Sequence, residues 1–224
     1  MKLLKNLRIG TKIVSSFITV IILVAIMLTV TQLSMNRISE DMETFYNEEF
    51  QIVDVSQTVM TDLQGYAKGI SRVALAAENA EQREAADAAA YLETRTSEMN
   101  GYLDSMGKDI EDLKKLPLQS QDEVATVNEM YQTLTAQTTQ LLSLYSDGQV
   151  DDGLKLANGD IEQNAVKMRT ALNTIIDRAQ TRAENKHDST MTLVRQQRTM
   201  VLILTIFVAV MTAVLCLALT RGIR

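Results

Sequence analysis

Two apolar stretches that contain no charged residue, one near each end, constrain this chain more than any other feature of its sequence. The first lies between Lys12 and Arg37, and the second lies between Arg198 and Arg221. A helix of about 20 apolar residues is long enough to cross a lipid bilayer, and each stretch reaches that length. We therefore expect the chain to cross a membrane twice and to present its middle part on one side.

Basic residues at the two ends predict the orientation. Short cytoplasmic flanks of membrane helices are rich in lysine and arginine, so the basic ends are expected in the cytoplasm. The terminal cations are Lys2, Lys5, Arg8, Lys12, Arg221 and Arg224. The predicted order is a cytoplasmic tail over 1–12, a transmembrane helix over 13–33, an extracytoplasmic domain over 34–198, a second transmembrane helix over 199–220 and a cytoplasmic segment over 221–224.

The predicted extracytoplasmic part is strongly acidic. The whole chain has 22 Lys and Arg residues and 28 Asp and Glu residues, and setting aside the six terminal cations leaves 16 basic against 28 acidic. An excess of negative charge repels a phosphate backbone. This balance argues against a nucleic-acid partner, and it provides no general attraction to anionic lipid.

A cleaved signal peptide is the alternative interpretation of the first stretch. The apolar region of a signal peptide covers about 7 to 15 residues and ends in a small-x-small site. Here the apolar run Ser15–Val30 continues into Thr31 without an Ala-x-Ala pattern, so we expect an uncleaved anchor. The single cysteine, Cys216, lies in the second stretch, and an intramolecular disulfide is therefore impossible.

The middle of the chain has the pattern of long helices. Pro117 is the only proline and glycines are few, so little interrupts a helix. Four segments repeat apolar residues at alternating steps of three and four: Ile38–Ala77, interrupted only by Glu49 and Ser56, then Ala85–Leu113, Val124–Tyr145 and Leu154–Ala183. The predicted fold is all-α, an antiparallel up-down-up-down four-helix bundle whose first and last helices continue into the transmembrane helices.

Local signals predict where these helices begin and end. Ser120-x-x-Glu123 has the spacing of a capping box at the start of the third helix, and Asp147-Gly148 predicts its end. The break between the first two helices is placed near Asn79. Because no proline or glycine separates Ile13 from Gln64, the first membrane span and the first bundle helix are expected to form one continuous rod.

Several short motifs, taken in this order, resemble a known family. They are Arg8-Ile9-Gly10-Thr11-Lys12 before the first span, a Tyr145-x-x-Gly148 turn into Asp151-Asp152-Gly153-Leu154, and Leu219-Thr220-Arg221 after the second span. The chain resembles the N-terminal sensory part of a bacterial methyl-accepting chemotaxis receptor of the four-helix-bundle type. Arg221 to Arg224 resembles the first residues of a truncated HAMP linker, and the family's cytoplasmic signalling coiled coil is not in this sequence.

The resemblance implies a membrane-bound receptor with a small-molecule ligand. Such a receptor is a homodimer in the inner (plasma) membrane that binds an attractant near the membrane-distal end of the bundle. Ligand then shifts the fourth helix slightly along its axis relative to the first. A stiff helix transmits such a shift when the ligand has different affinities for the two states.

Polar and aromatic residues near the predicted distal end are candidate ligand contacts. Arg72 and Arg95 could hold a carboxylate, and the resemblance makes Arg72 the nearest match to the arginines of similar receptors. The resemblance implies several closely spaced arginines for receptors of amino acids, whereas Lys68 is the only other cation near Arg72. The expected ligand is therefore an organic or aromatic acid. The full set is Tyr66, Lys68, Arg72, Arg95, Thr96, Thr138 and Tyr145. Core packing of the tyrosines and threonines and solvation of the arginines are the simpler alternatives.

Gly65 and Gly69 place two small residues on one face of the first bundle helix. This spacing lets another helix approach closely, although the signal is weaker in water than in lipid. Our hypothesis is that Gly65 and Gly69 form a dimer contact.

Catalysis and a metal or cofactor role have little support in the sequence. Glu184-x-x-His187 has the spacing of di-iron bundle ligands, but His187 is the only histidine and no second motif accompanies it. No enzyme activity, cofactor or metal is expected. Two other functions stay open: an input module of a sensor kinase or a cyclic-dinucleotide enzyme, and a membrane-anchored helical scaffold for protein partners.

Overall fold

The computed structural model describes residues 9–79, 85–117 and 121–223, which are helical except at a few connecting positions. The elements in chain order are α1 (Ile9–Thr44), π1 (Phe45–Phe50), α2 (Gln51–Glu78), α3 (Ala85–Lys115), α4 (Gln121–Ser146), α5 (Val150–Leu156), π2 (Ala157–Ile161) and α6 (Glu162–Ile223). Here π1 and π2 are short π-helical segments. The predicted all-α fold class is confirmed.

Two compact units make up the chain. The first combines Met1–Thr44 with Asn185–Arg224, and the second is Phe45–Glu184, called the bundle unit below. The bundle unit is shorter at both ends than the predicted domain 34–198. The predicted domain boundaries at the membrane stay predictions.

Apolar residues at the predicted seam positions form the core of the bundle unit. These positions recur every three or four residues, so one stripe of each helix faces inward. Fully or almost fully buried examples are Val59, Leu63 and Val73 of α2, Met99, Met106 and Leu113 of α3, Val127, Leu134 and Leu141 of α4, and Met168, Leu172 and Ile175 of α6. These residues fill the space between the helices, so close packing of apolar side chains forms the core of the bundle unit.

The end of α4 has the predicted glycine stop. Gly148 has a φ of 73°, a left-handed conformation that glycine adopts without a steric cost. The Gly148 amide donates to the Tyr145 carbonyl at 3.2 Å, and the Gln149 amide donates to the Leu144 carbonyl at 2.8 Å. This pair of bonds is a Schellman motif, and it turns the chain directly into α5.

The break between the first two bundle helices lies where the sequence predicts it. Asn79 closes α2, and its side-chain amide donates to the Leu75 carbonyl at 2.9 Å. The next described residue, Ala85, begins α3. Ser120 of the predicted capping box lies outside the described residues.

Two π-helical segments differ from the prediction of uninterrupted α-helices. π1 separates α1 from α2, so the predicted rod from Ile13 to Gln64 stays helical but changes its hydrogen bonding in the middle. π2 separates α5 from α6. A π-helical turn has i→i+5 hydrogen bonds and so contains one residue more than an α-helical turn.

The other unit contains the two apolar stretches. Two helical ranges, Phe17–Glu78 and Val150–Val214, are long and apolar enough to include a membrane span. Large apolar side chains on them are exposed, among them Phe17, Leu28, Ile206 and Val210. Within this unit the Gln197 side-chain amide donates to the Thr31 carbonyl at 3.3 Å.

Candidate functional site

Arg72 of α2 and Arg95 of α3 meet at a single carboxylate on the surface of the bundle unit. Arg95 Nη1 donates to both oxygens of Glu98, at 2.8 and 3.0 Å. Arg72 Nη1 lies 3.5 Å from Glu98 Oε2, in an ion pair that joins α2 to α3. The structure therefore brings the two predicted arginines together, and it places an internal carboxylate between them.

Tyr91 completes this surface cluster, which we call the arginine cluster and define as Arg72, Tyr91, Arg95 and Glu98. The Arg95 guanidinium carbon lies 4.8 Å from the centre of the Tyr91 ring, a cation–π contact. Hydrogen bonding to Glu98, followed by that to Tyr91, raises the pKa of Arg95 above its already high ordinary value. Arg95 Nε is enclosed and has no hydrogen-bond partner. The cluster is thus a persistent positive site whose only anion is Glu98.

Tyr66 and Thr138 form a polar contact in the core, away from the arginine cluster. Tyr66 is fully buried, and its hydroxyl lies 2.8 Å from Thr138 Oγ1. Thr138 donates its own proton to the Leu134 carbonyl at 2.7 Å, so Tyr66 is the donor to Thr138. Burial raises the pKa of Tyr66 to about 12, and the bond to Thr138 opposes that rise. These two residues have the geometry of satisfied core residues.

Tyr145 is buried at the turn end of the bundle, near Gly148. Its ring packs against Gly153, where a side chain would collide with it. Burial, followed by the charge of Glu78, raises the pKa of Tyr145, and its hydroxyl is enclosed without a hydrogen-bond partner. The close approach of α5 to Tyr145 explains why glycine stands at position 153.

Lys68 and Thr96 are the remaining predicted contacts. Lys68 is exposed one turn before Arg72 on α2, and Thr96 is half-buried next to Arg95 on α3. The seven predicted residues therefore lie in three places: the arginine cluster with its neighbours Lys68 and Thr96, the core pair Tyr66 and Thr138, and the Tyr145 site. Their role as ligand contacts stays a prediction.

A groove between α2, π2 and α6 was not predicted. Its rim is polar, with Ser71 of α2, Asn158 of π2, and Glu162 and Arg169 of α6, above a floor that includes Tyr66. The cavity volume is about 60 Å³, enough for about two water molecules. Nothing in the sequence pattern indicated that π2 would face α2.

Gly65 and Gly69 face α3 of the same chain. A side chain at Gly65 would meet the ring of Tyr102. A Cβ at Gly69 would lie 2.9 Å from the Cβ of Met99. The small residues thus allow α2 and α3 to approach closely. The predicted dimer contact through these glycines stays a prediction, and α3 already covers that face.

Metal ligands are not grouped in the part of the chain that the structure describes. No three His, Cys, Asp or Glu side chains converge there, and His187 is exposed on α6. The arrangement of the site is suited to binding an anion through arginine, and we see no constellation for covalent chemistry in these ranges.

The fold defines a class of protein: an all-helical bundle in a chain that also carries two helices able to span a membrane. Comparison with protein families matches residues 6–194 to the four helix bundle sensory module for signal transduction, and the chain belongs to this family. The resemblance to the sensory part of a methyl-accepting chemotaxis receptor is thereby confirmed. Comparison with curated proteins and with solved structures gave no match.

Proposed function

We propose that this chain is the sensory input of a transmembrane chemoreceptor, and that its bundle unit binds a small acidic ligand outside the cytoplasm. The observation that carries the proposal is the membership of residues 6–194 in a sensory family, together with an arginine pair around one carboxylate. The receptor passes a conformational signal to a cytoplasmic output, acts as a homodimer and has no catalytic activity of its own.

The exposed apolar surfaces support insertion in the inner membrane. In lipid, a hydroxyl without a partner is costly, and threonines in both apolar stretches donate to the carbonyl four residues earlier. Thr19 and Thr29 do so in α1, and Thr205 and Thr212 do so in α6, at 2.7 to 2.9 Å. The basic ends of the chain favour a cytoplasmic location for both termini, which leaves the bundle unit outside.

The arginine cluster is the proposed ligand site. Glu98 is substantially exposed, with 42% of its side chain accessible, so solvent screens its ion pairs and makes them easy to exchange. A ligand carboxylate would replace Glu98 between Arg72 and Arg95, and an aromatic ligand could also stack near Tyr91. This replacement breaks the ion pair between Arg72 and Glu98 that joins α2 to α3. The ligand therefore has different affinities for two arrangements of these helices.

Thermal unfolding of the full chain in detergent micelles tests this site. The probes are succinate, malate, benzoate and salicylate, each in titration, with their uncharged amides as matched controls. A ligand present at about a hundred times its Kd stabilises the folded protein by about 2.7 kcal/mol. We expect Arg72→Ala and Arg95→Ala to abolish the shift, and we expect Lys167→Ala, which removes an exposed cation on α6, to retain it.

Two results would contradict the ligand proposal. One is that no acid in a wider panel shifts the unfolding temperature, which favours the scaffold alternative. The other is a shift of the unfolding temperature that persists in both arginine variants. That result would mean that the ligand binds elsewhere in the bundle unit, and the groove at Arg169 would be tested next.

The route of the signal is α6, which contains residues of the bundle unit and of the second apolar stretch in one helix, Glu162–Ile223. A chimera that joins residue 224 to the cytoplasmic half of a chemotaxis receptor tests the output. We expect ligand to change kinase activity in the chimera. A different result would be that ligand binds without changing kinase activity in this chimera but changes the activity of a second chimera whose output is a sensor kinase. That result would make the chain the input module of a sensor kinase.

A further inference from the structure

One charged residue is buried in the part of the bundle unit that the structure describes. Among the described residues that are buried, Glu49 alone is charged, and only 6% of it is exposed. It lies in π1, at a position where the sequence repeat calls for an apolar side chain. Arg182 of α6 directs Nε at both of its oxygens, at 2.9 and 3.0 Å. A buried carboxylate needs such a partner because desolvation penalises an isolated charge.

A second ion pair holds the same part of α6 to another helix. Arg178, one turn before Arg182, lies 2.6 Å from Glu123 at the start of α4. Residues four apart lie on the same side of a helix. α6 is therefore tied to π1 and to α4 within one turn of its length.

Apolar and charged contacts of α6 differ in their directionality. Leu172, Ile175 and Ala179 are buried at this interface, and the hydrophobic effect that favours their burial is non-directional. Hydrogen bonds at 2.9 Å are lost over a displacement of about 1 Å, because their strength falls steeply with distance and angle. The charged contacts are consequently the part of the interface most sensitive to a small shift.

We propose that Glu49–Arg182, together with Glu123–Arg178, is a clasp that fixes the axial position of α6 in the bundle, and that α6 shifts only when the Glu49–Arg182 bonds open. The location of Glu49 in π1 agrees with this role, since π-helical turns are rare and concentrate at functional sites. As a regulatory element the clasp rests on the proposed sensory function. The clasp itself is tested without ligand or output, so its failure is distinguishable from failure of that function.

Electron–electron distance measurements on the full chain in detergent micelles test the clasp. Spin labels are attached to cysteines at Gln57 of α2 and Gln180 of α6, both exposed, in a Cys216→Ser background. The wild-type clasp predicts one narrow distance. We expect Glu49→Gln, which keeps the size of the side chain but removes its charge, to shift the mean by about 1–2 Å or to add a second distance on that scale.

Matched variants separate a positional role from simple space filling. Glu48→Gln removes the neighbouring glutamate of π1, which is half-buried, and should leave the distance unchanged. Replacement of both Glu49 and Arg182 by leucine should keep the chain helical but shift or broaden the distance. If Glu49→Gln loses its helical circular dichroism, Arg182→Lys is measured instead, because it retains the charge and loses the planar fork. The expected result for Arg182→Lys is again a shift.

Three outcomes would overturn the clasp. The first is the wild-type spin-label distance in folded Glu49→Gln, or in Arg182→Lys where that variant replaces it. The second is the wild-type distance in the double leucine variant. The third is a shift in Glu48→Gln as large as the shift in Glu49→Gln.

Discussion

Two polar contacts among the described core residues of the bundle unit differ in chemistry and in consequence. Tyr66 and Thr138 form a neutral contact that is almost completely enclosed. Glu49 and Arg182 form a charged contact in which 23% of the arginine side chain reaches solvent. Removal of the acceptor from the neutral pair leaves a buried hydroxyl unpaired, at a cost of about 1–3 kcal/mol. Removal of one member of the charged pair leaves a buried charge unpaired, at a cost of about 3–5 kcal/mol. Position in the core alone therefore does not predict how a polar residue contributes.

The largest expected effect comes from breaking the charged contact. Arg182→Ala leaves Glu49 buried without a counter-ion, and we expect it to lower the free energy of unfolding by about 3 kcal/mol, the lower end of the range for a broken buried pair. The partial exposure of Arg182 is the reason for the lower end. Urea unfolding of the full chain in micelles, followed by circular dichroism, measures the change.

An exposed cation on the same helix provides the control. Lys167→Ala should change the free energy of unfolding by no more than about 0.5 kcal/mol. If Arg182→Ala matched this control, the contact between Arg182 and Glu49 would contribute nothing measurable, and the distinction between the two polar contacts would be lost.

The neutral contact should be asymmetric. Thr138→Val removes the acceptor of the Tyr66 proton and leaves a buried hydroxyl without a partner, so we expect a loss of about 1–3 kcal/mol. Tyr66→Phe leaves Thr138 still bonded to the Leu134 carbonyl, and we expect a loss of about 1 kcal/mol. The same urea measurement compares them.

The double variant sharpens this asymmetry. Tyr66→Phe combined with Thr138→Val removes donor and acceptor together, so its loss should be smaller than the sum of the single losses. Additive losses, or a larger loss in Tyr66→Phe than in Thr138→Val, would contradict the assignment of Tyr66 as the donor.

Sequence patterns predicted the helices and their inward faces because burial imposes a repeat that can be counted. The residues that break the repeat were also visible: Glu49 and Ser56 stand out from the first seam. The partner of Glu49 was not visible, because Arg182 is 133 positions away and nothing in either local pattern specifies which helix the other faces. A local repeat gives the face of each helix, and only the packed structure gives the neighbour.

The candidate site shows the same limit. Arg72 and Arg95 were identified by residue type, and their meeting depends on the antiparallel register of α2 and α3, which the positions of Gly69 and Met99 help to set. Glu98 was missed as the anion between them, although it lies one turn after Arg95. The two π segments were missed because no residue pattern in either marks an extra residue in the turn.

Close packing of α2 on α3 leads to a prediction of intermediate size. Gly69→Ala places a Cβ 3.2 Å from the Met99 backbone, so strain outweighs the better helix propensity of alanine and we expect a loss of about 1 kcal/mol. At Gly101 of α3 an added Cβ meets nothing within 4 Å, and Gly101→Ala should stabilise by about 0.5–1 kcal/mol. Thermal unfolding midpoints compare the two. The same sign for both substitutions would argue against close contact at Gly69.

A third polar contact, between like charges, extends the comparison and carries the smallest expected effect. Asp62 of α2 and Asp109 of α3 each have one enclosed carboxylate oxygen without a hydrogen-bond partner. Burial is the largest cause that raises the pKa of Asp109, followed by the charge of Asp62 and a hydrogen bond with Asp62. The charge of Asp112 adds to the rise, and the charge of Lys108 opposes it. The folded state thus binds a proton more tightly than the unfolded state, and stability falls as pH rises through the raised pKa.

Asp109→Asn should therefore stabilise the bundle at a pH above the raised pKa of Asp109, because a charged Asp109 is buried beside the charge of Asp62. The gain should shrink as the pH is lowered and vanish below the ordinary aspartate pKa of about 3.9, since a protonated aspartate and asparagine then make similar contacts. Thermal midpoints between pH 3 and 8 measure this, with Asp104→Asn, an exposed residue of the same helix, as the control. A gain that does not depend on pH would reflect helix propensity at position 109. A loss of stability at pH 7 would mean that the carboxylate of Asp109 stabilises the bundle unit. Like charges between α2 and α3 would then be tolerated, in contrast to the unpaired charge that Arg182→Ala leaves on Glu49.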